Sequence, residues 1–315
     1  MVSNRVVAFV FPGQGSQYIG MGKELYDQFA VAKQTFEEAE GALGFSLSRL
    51  CFSGPESELK LTENTQPAIL TVSVAAWRVL TSETSLKPDY VAGHSLGEYS
   101  ALVSVGALSF FDAVRVVRAR GRFMQTAVPA GEGAMAVVIG LGMETITSVC
   151  EEAAEGDIVT PANYNGGGQV VIAGSKSAVI RAESLAKSRG AKRVLDLPVS
   201  APFHCPLMRP AADELGRVLQ DVLVQPFSVG VVTNVDAEVN FDAARVKSLL
   251  TEQAVQPVRW EQSVQKLEHL GVSKILEVGP GKVLKGLVKR INPDMEVDNF
   301  ESPRDLARIL QDYSV

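Results

Sequence analysis

The order of strand-like and helix-like segments constrains the fold of this chain more than any other feature of its sequence. Short apolar runs at residues 6–11, 89–93, 229–234 and 274–279 predict strands, and each lies near a segment with helical periodicity. Alternation of this kind is typical of a parallel sheet covered by helices on both faces. The sequence therefore predicts an α/β fold with a doubly wound parallel sheet as its core.

Two predicted helices flank these strands. Residues 65–83 form a long apolar stretch, and we expect this helix to begin at Pro67, because proline is favoured in the first turn. Residues 96–108 predict a second helix directly after the strand at 89–93.

The middle of the chain has a different order of elements. From about residue 133 to residue 198 the pattern is strand, helix, strand, strand, helix, strand, which is the order of a ferredoxin-like unit. We therefore expect a ferredoxin-like inserted subdomain at residues 129–198, between two halves of a catalytic core at 1–128 and 199–315. A cleft between the two parts is the expected ligand site.

Composition excludes several classes of protein. The chain has 315 residues, a net charge of −6 and a pI near 5.3, whereas a general nucleic-acid binder is basic. No apolar run approaches the roughly 18 residues of a membrane span, and the N-terminal segment does not resemble a signal peptide. Three cysteines without metal-like spacing indicate reduced thiols. We expect a cytoplasmic monomer that binds neither nucleic acid nor membrane.

A candidate nucleophile lies in the sequence "GHSLG" at residues 93–97, which matches the pattern G-x-S-x-G. A predicted strand precedes it and a predicted helix follows, as a strained strand-to-helix elbow requires. The alternative is a glycine-rich connection with a solvated serine. The context favours the elbow, with Ser95 exposed at its tip.

A nucleophilic serine needs a base, and the chain has three histidines. His94 adjoins Ser95, and its side chain should diverge from that of the serine. His269 ends an amphipathic helix and is expected to be a helix-end residue. His204 lies in the proline-flanked stretch "APFHCPLM", where a loop over the cleft is expected, so we predict that it is the base rather than a packed histidine. Cys205 has no elbow beside it and is expected to be a small buried residue.

Acyl transfer also needs donors for the oxyanion that develops in the transition state. One donor should be the backbone N–H of Leu96, the residue after the nucleophile. The turn Gly13-Gln14-Gly15 follows the first strand, and the backbone N–H of Gln14 is the expected second donor. This turn is not a dinucleotide fingerprint, because Tyr18 stands at the third glycine position. We expect neither a nucleotide cofactor nor a metal.

One arginine lies on the apolar side of a predicted helix. Residues 109–128 predict a helix that Ser109 caps, with Arg115, Arg118 and Arg122 on one face and Arg120 on the opposite, apolar face. A buried guanidinium needs an anion. That anion is either an acidic residue of the chain or a substrate carboxylate held by two hydrogen bonds.

With these residues identified, the chain resembles the malonyl-CoA:acyl-carrier-protein transacylases of bacterial fatty-acid synthesis over nearly its whole length. The matching segments are "FVFPGQGSQ", "TQPAIL", "AGHSLGEYSAL", "RARGRFMQ", "GQVVIAGS", "PFHCPLM", "PVRW" and "EVGPGKVL". The resemblance implies a hydrolase-like core and ping-pong transfer of malonyl from CoA to the phosphopantetheine thiol of the carrier protein.

The resemblance also implies roles for single residues. Ser95 and His204 are the expected nucleophile and base, and Arg120 is expected to bind the malonyl carboxylate. A backbone carbonyl at Gln253 is expected to orient the base in place of an acid, and Asn163 to line the pocket. Phe203, next to the base, is expected to disfavour an α-methyl group; ordinary core packing explains it equally.

Two other functions remain open at the level of the sequence. A serine hydrolase would use the same serine and histidine with a third, acidic residue, and Asp196 lies in the interval where that acid belongs. A discrete acyltransferase of a polyketide synthase would have the same chemistry and a different carrier. A non-catalytic binding module would need neither the elbow nor the base.

A basic stripe near the C-terminus is a candidate docking site for the carrier protein. Lys282, Lys285 and Lys289 share one side of a predicted helix. Carrier proteins are typically acidic, so this stripe is expected to steer docking. The alternative is an ordinary solvated basic face.

Overall fold

The computed structural model describes residues 5–199 and 201–312, and two β-sheets with flanking helices make up this part of the chain. The first four residues, on which the prediction about a signal peptide partly depends, lie outside it. The described strands are β1 (Val6–Phe11), β2 (Tyr90–Gly93), β3 (Gly133–Ile139), β4 (Val159–Gly166), β5 (Gln169–Ser175), β6 (Arg193–Asp196), β7 (Gly230–Val232), β8 (Val239–Asn240), β9 (Val272–Val278) and β10 (Glu296–Phe300).

Helices cover both sheets. They are α1 (Lys23–Gln28), α2 (Ala30–Leu43), α3 (Leu47–Ser53), α4 (Glu56–Leu59), α5 (Thr62–Glu83), α6 (Gly97–Ser104), α7 (Phe110–Thr126), α8 (Met143–Ala154), α9 (Lys176–Ser188), α10 (Arg209–Gln220), α11 (Ala243–Gln253), α12 (Trp260–His269), α13 (Val283–Ile291) and α14 (Pro303–Asp312). Among the described helices, none combines the length and the apolar character that a bilayer crossing demands.

The larger sheet has the strand order β10-β9-β1-β2-β7-β8. Its strands run parallel, except that β8 is antiparallel to β7. The four strands predicted from the sequence correspond to β1, β2, β7 and β9, so the prediction of a parallel core is confirmed. The sequence did not predict β8, which has two residues, or β10, whose "EVDNF" pattern includes three polar residues. Two of them form ion pairs at the sheet edge: Glu296 with Arg5, and Asp298 with Lys274 and Arg308.

Two predicted helix boundaries differ from the structure. The prediction that Pro67 opens α5 is wrong, because α5 begins at Thr62 and Pro67 lies buried in its second turn. Close packing against α7 holds the first turn: a Cβ on Gly121 would lie 2.7 Å from the Thr62 carbonyl oxygen. Helix α6 ends at Ser104, before its predicted end, because Gly106 (φ +76°) turns the chain out of the helix.

The second sheet has the antiparallel order β4-β5-β3-β6, and α8 and α9 cover one of its faces. This is the predicted ferredoxin-like arrangement. Its other face joins the main core through Met135, Val171 and Ala173. Strand β4 is tied to the rest of the chain, because Tyr164 N–H donates to the Val258 carbonyl at 2.9 Å and Val258 N–H donates to Ala162 at 2.9 Å.

Close backbone contacts bring the turn after β1 against the turn after β2. A Cβ on Gly13 would lie 2.3 Å from the His94 carbonyl oxygen, and a Cβ on Gly97 would lie 2.0 Å from the Phe11 carbonyl oxygen. Ser95 has φ +52°, a left-handed conformation that non-glycine residues rarely adopt. The glycines of the pattern G-x-S-x-G therefore permit a strained turn that presses directly on β1.

We expect Gly97→Ala to destabilise the fold by about 1–3 kcal/mol, because the added methyl group overlaps a backbone oxygen that cannot move without shifting β1. Urea unfolding at neutral pH measures this. Gly41→Ala in α2 is the matched control, since a Cβ there meets no atom within 4 Å, and it should stabilise the helix by about 0.5–1 kcal/mol. Equal effects of the two substitutions would contradict the described packing of the elbow.

Candidate active site

Most of the predicted site residues line a single cleft between the carboxyl ends of β1 and β2 and the inner face of the second sheet. Those that line it are Gln14, Ser95, Leu96, Arg120, Asn163, Phe203 and His204. Gln253, at the end of α11, is fully buried and contacts the histidine and the arginine from behind. The three predicted docking lysines lie outside this cleft.

Ser95 and His204 form a hydrogen-bonded pair, with 2.7 Å between Ser95 Oγ and His204 Nε2. The other ring nitrogen, Nδ1, lies 2.8 Å from the Gln253 carbonyl oxygen. Because a carbonyl only accepts, Nδ1 carries the proton and Nε2 is left with a lone pair that faces the serine hydroxyl. This is the geometry of a serine poised to lose its proton to histidine.

Burial keeps His204 neutral. Its side chain lies in the protein interior, and burial together with the nearby positive charge of Arg120 lowers the pKa of His204 from 6.5 to about 3. At neutral pH the imidazole is therefore in the form that accepts a proton.

Asp196 does not serve as a third, acidic member. It lies exposed at the end of β6, beside Glu183 of α9, while the Gln253 carbonyl occupies the position next to His204 Nδ1. The sequence-level alternative of a triad with Asp196 is thus not supported by the geometry.

The two residues predicted to supply the oxyanion donors, Gln14 and Leu96, both line the cleft that contains Ser95. Leu96 has helical dihedral angles (φ −52°, ψ −37°) at the start of α6, where the first backbone N–H groups lack partners inside the helix. Gln14 lies in the turn after β1 that contacts His94. The backbone N–H of Ser95 donates to Asn234 Oδ1 at 2.7 Å, so it is not available as an oxyanion donor.

Arg120 is 1% exposed, and its guanidinium meets neutral oxygens. It donates to Gln66 Oε1 at 2.9 Å, to Gln253 Oε1 at 2.9 Å and to Ser95 Oγ at 3.2 Å. Among the described residues no ion pair includes Arg120, so the structure does not support the alternative of an internal salt bridge. The burial of this cation lowers its pKa and leaves it suited to an anion that enters the cleft.

Three buried polar residues of this site were not predicted from the sequence. Gln66, Glu98 and Asn234 are each about 2% exposed or less. Burial raises the pKa of Glu98 to about 7. Gln66 and Glu98 lie within segments that matched the family pattern, whereas the only signal for Asn234 was its position as the last residue of a predicted strand.

The two remaining histidines lie as expected. His94 diverges from Ser95: its Nε2 lies 3.0 Å from Asn165 Oδ1, and its ring packs beside Trp260. His269 is at the exposed end of α12, with Nδ1 2.6 Å from the Gln265 carbonyl oxygen.

The predicted docking lysines lie on α13, whose start adjoins the turn that carries Gln14. A Cβ on Gly281 would lie 3.5 Å from the Ser16 carbonyl oxygen. Lys282 and Lys289 are exposed, and Lys289 Nζ donates to the Pro293 carbonyl at 2.8 Å. Lys285 is half-buried, 3.9 Å from Asp298.

A strained serine at a strand-to-helix turn, a neutral histidine and a backbone carbonyl behind it define a site of the serine acyl-transfer class. The family model described as "Acyl transferase domain" matches residues 8–299. The chain therefore belongs to the acyl transferase domain family.

Relatives whose names specify malonyl transfer match nearly end to end. The "Malonyl CoA-acyl carrier protein transacylase" of Salmonella typhimurium is 50% identical over 303 residues, which are 96% of this chain and 98% of that protein. The crystal structure of an acyl carrier protein S-malonyltransferase from Vibrio cholerae is 48% identical, with a TM-score of 0.95 and coverage of 96% of this chain and 99% of that one. A structure described as "PlMCAT:AntF (holo): type II PKS acyl-carrier protein in complex with its malonyl-transacylase" is also 48% identical, with a TM-score of 0.95 and coverage of 98% and 99%.

The low pKa of His204 predicts a loss of stability in mild acid. The unfolded chain takes up a proton on this histidine near pH 6.5, whereas the folded protein does so only near pH 3. Stability is therefore fully present above pH 6.5 and falls as the pH falls towards 3. Between pH 7 and pH 5 wild type should lose about 2 kcal/mol more than His204→Gln. Urea unfolding of both proteins at the two pH values measures this, and equal losses would show that His204 protonates as readily in the folded state.

Proposed function

We propose that the chain transfers malonyl from malonyl-CoA to the phosphopantetheine thiol of an acyl carrier protein, through a malonyl ester on Ser95. The observation that carries the proposal is Arg120: a buried cation with neutral partners, 3.2 Å from the nucleophile. An acyl group with its own carboxylate supplies the missing anion. The relatives named above bear names that specify malonyl, CoA and acyl carrier protein.

In the first half-reaction Ser95 Oγ attacks the thioester carbon of malonyl-CoA while its proton passes to His204 Nε2. The carbonyl oxygen becomes an oxyanion, and the backbone N–H groups of Leu96 and Gln14 stabilise it. The carbon–sulfur bond then breaks, and the CoA thiolate leaves with the proton from His204. The product is malonyl-Ser95 with a neutral histidine.

The second half-reaction runs through the same groups in reverse. His204 takes the proton of the carrier's phosphopantetheine thiol, and the resulting thiolate attacks the ester carbon of malonyl-Ser95. The oxyanion forms at the same two N–H groups. When it collapses, the bond between the ester carbon and Ser95 Oγ breaks, Oγ takes the proton from His204, and malonyl remains on the carrier thiol. The group behind His204 Nδ1 is the Gln253 carbonyl, which stabilises an imidazolium less than a carboxylate would and so favours release of the proton.

The malonyl carboxylate also affects the base. Arg120 is one of the groups that lower the pKa of His204, so pairing its charge with a carboxylate makes the histidine a better base. An acetyl group leaves that charge unpaired. Arg120 therefore selects malonyl twice, once by holding its carboxylate and once by permitting proton transfer.

Further residues shape the pocket. Asn163, 7% exposed on β4, and Phe203, 9% exposed beside the base, line the cleft. We propose that the Phe203 ring crowds the α-methyl group of methylmalonyl and so disfavours that substrate. We also propose the division into a catalytic core (1–128 and 199–315) and an inserted subdomain (129–198), a monomeric state and a cytoplasmic location. All three cysteines are buried free thiols, which accords with a reducing compartment.

Intact mass spectrometry tests the proposal. Incubation with malonyl-CoA should add one malonyl group to the wild type, and addition of holo carrier protein should remove it. Peptide mapping should place the group on Ser95, and Ser95→Ala should remain unmodified. His204→Ala should slow the acylation by about 10² to 10⁴-fold. A malonyl group on Cys51 or Cys205 would contradict the assignment of the nucleophile.

Substitution of Arg120 tests the carboxylate clamp. Arg120→Ala should lower kcat/KM for malonyl-CoA and reverse the preference over acetyl-CoA, and Arg120→Lys should restore only part of it, because lysine lacks the planar fork. Arg118→Ala is the matched control: Arg118 lies on another face of α7, where it donates to Asn64 and packs over Phe45. Equal loss with malonyl-CoA and acetyl-CoA in Arg120→Ala would make Arg120 a purely structural residue.

Charge reversal tests the docking surface at α13. Lys282→Glu with Lys289→Glu should raise KM for the acidic carrier protein at low salt and leave KM for malonyl-CoA unchanged, because these exposed side chains lie outside the cleft. Lys187→Glu, an exposed lysine on α9 behind the second sheet, is the control. Carrier kinetics that match those of the control would remove this surface from the proposal.

A further inference from the structure

Two buried polar residues, Asn234 and Glu98, take no part in the reaction steps described above. Their hydrogen bonds connect Ser95 with Gln253, the residue that contacts both His204 and Arg120. Asn234 Oδ1 accepts the Ser95 N–H at 2.7 Å, and Asn234 Nδ2 donates to the Gly93 carbonyl at 2.6 Å. A single side chain thus bonds both sides of the strained elbow. Asn234 is 1% exposed, so neither bond has water as a substitute.

Glu98, in the first turn of α6, fixes Asn234 and Gln253 at the same time. Its Oε2 accepts the Asn234 backbone N–H at 3.1 Å and the Gln253 side-chain Nε2 at 2.8 Å. Nε2 of Gln253 donates further to the Ser95 carbonyl at 3.0 Å and, more weakly, to Asn234 Oδ1 at 3.5 Å. Three acceptors therefore hold the amide nitrogen of Gln253.

This arrangement determines which end of the Gln253 amide faces the arginine. With Nε2 held by Glu98, Oε1 faces Arg120 and accepts its hydrogen bond at 2.9 Å. The reversed amide would direct N–H groups at the guanidinium and leave Arg120 without that acceptor. The backbone carbonyl of the same glutamine accepts from His204.

We propose that Asn234 and Glu98 are positioning residues of the acyl-transfer reaction: Asn234 holds Ser95 in its strained conformation, and Glu98 orients Asn234 and Gln253. Neither side chain lines the cleft, so both act through Ser95, His204 and Arg120. The bond from Ser95 N–H to Asn234 also leaves the Leu96 N–H, one residue later, as the donor that faces the oxyanion. This inference rests on acyl transfer at Ser95, the proposed function.

Single-turnover acylation by malonyl-CoA, followed by intact mass, is the main measurement. Asn234→Ala should reduce the acylation rate constant on the order of 10²-fold, because a small displacement of the nucleophile costs about that much. Its Kd for malonyl-CoA, measured in the Ser95→Ala background, should stay within about threefold, since Asn234 does not touch Arg120. A rate constant within about threefold of wild type would overturn the role of Asn234.

Substitutions of Glu98 test the second positioning residue independently, and a conservative variant should restore the rate. Glu98→Ala removes the acceptor for both N–H groups and should also slow acylation on the order of 10²-fold. Glu98→Gln keeps an oxygen acceptor at that position and should restore the rate to within about threefold of wild type. If Glu98→Gln is as slow as Glu98→Ala, the role of Glu98 is its charge and the proposal fails.

Matched controls separate positioning from simple loss of stability. Asn240 is 3% exposed and makes two hydrogen bonds within its own turn, and Glu277 is fully buried and accepts from Leu284 and Lys285 N–H groups. Asn240→Ala and Glu277→Gln should lower Tm without changing the acylation rate constant. Controls as slow as Asn234→Ala would overturn the proposal.

A second variant and a second serine-directed probe complete the test. If Asn234→Ala does not fold, Asn234→Asp takes its place, because it removes the donor to Gly93 and puts a carboxylate beside the Gly93 carbonyl. Acylation of Asn234→Asp should be at least about tenfold slower than that of wild type, and a rate within about threefold of wild type would overturn the proposal. An alkyl fluorophosphonate, which phosphonylates an activated serine with loss of fluoride, needs no carboxylate. If wild type takes up this probe but no malonyl, the proposed function fails while the probe still tests the positioning pair.

Discussion

The buried positive charge of Arg120 is the constraint on which the rest of the site depends. Transfer of an unpaired cation into a protein interior is very unfavourable, and α7 nevertheless directs this side chain inward among apolar neighbours. Neutral oxygens of Gln66, Gln253 and Ser95 stabilise the guanidinium in part. Glu98 does not bond the arginine, but its charge raises the pKa of Arg120, which burial lowers, and its hydrogen bond orients the Gln253 amide. A direct ion pair would occupy the position that the substrate carboxylate needs.

Sheet topology explains how distant segments meet around this charge. Strands β1 and β2 are parallel neighbours, so the turns that carry Gln14 and Ser95 emerge at the same edge, and Gly13 and Gly97 allow them to touch. His204 follows the second sheet, and Gln253 ends α11. The antiparallel sheet, held to the rest of the chain through β4 and Val258, closes the other side of the cleft.

The sequence predicted those features that leave a local pattern. Alternation of strands and helices indicated the parallel core, the glycines around Ser95 indicated the elbow, and helical periodicity placed Arg120 on the apolar face. The roles assigned to single residues stay predictions; these residues are Ser95, His204, Arg120, Gln14, Leu96, Asn163, Phe203, Gln253 and the lysines Lys282, Lys285 and Lys289. Gln66, Glu98 and Asn234 were missed because their partners are 19 to 155 residues away and a single buried amide or carboxylate has no periodic signature. The start of α5 was wrong because packing against Gly121 outweighed the local preference of Pro67.

The most direct test of the carboxylate clamp is a crystal structure of the enzyme after reaction with malonyl-CoA. We predict malonyl-Ser95 with both carboxylate oxygens about 3 Å from guanidinium nitrogens of Arg120, and with the contact between Arg120 and Ser95 Oγ replaced by this pair. Gln253 should still accept from Arg120 and from His204. A malonyl carboxylate directed to solvent, more than about 4 Å from the guanidinium, would contradict the central claim.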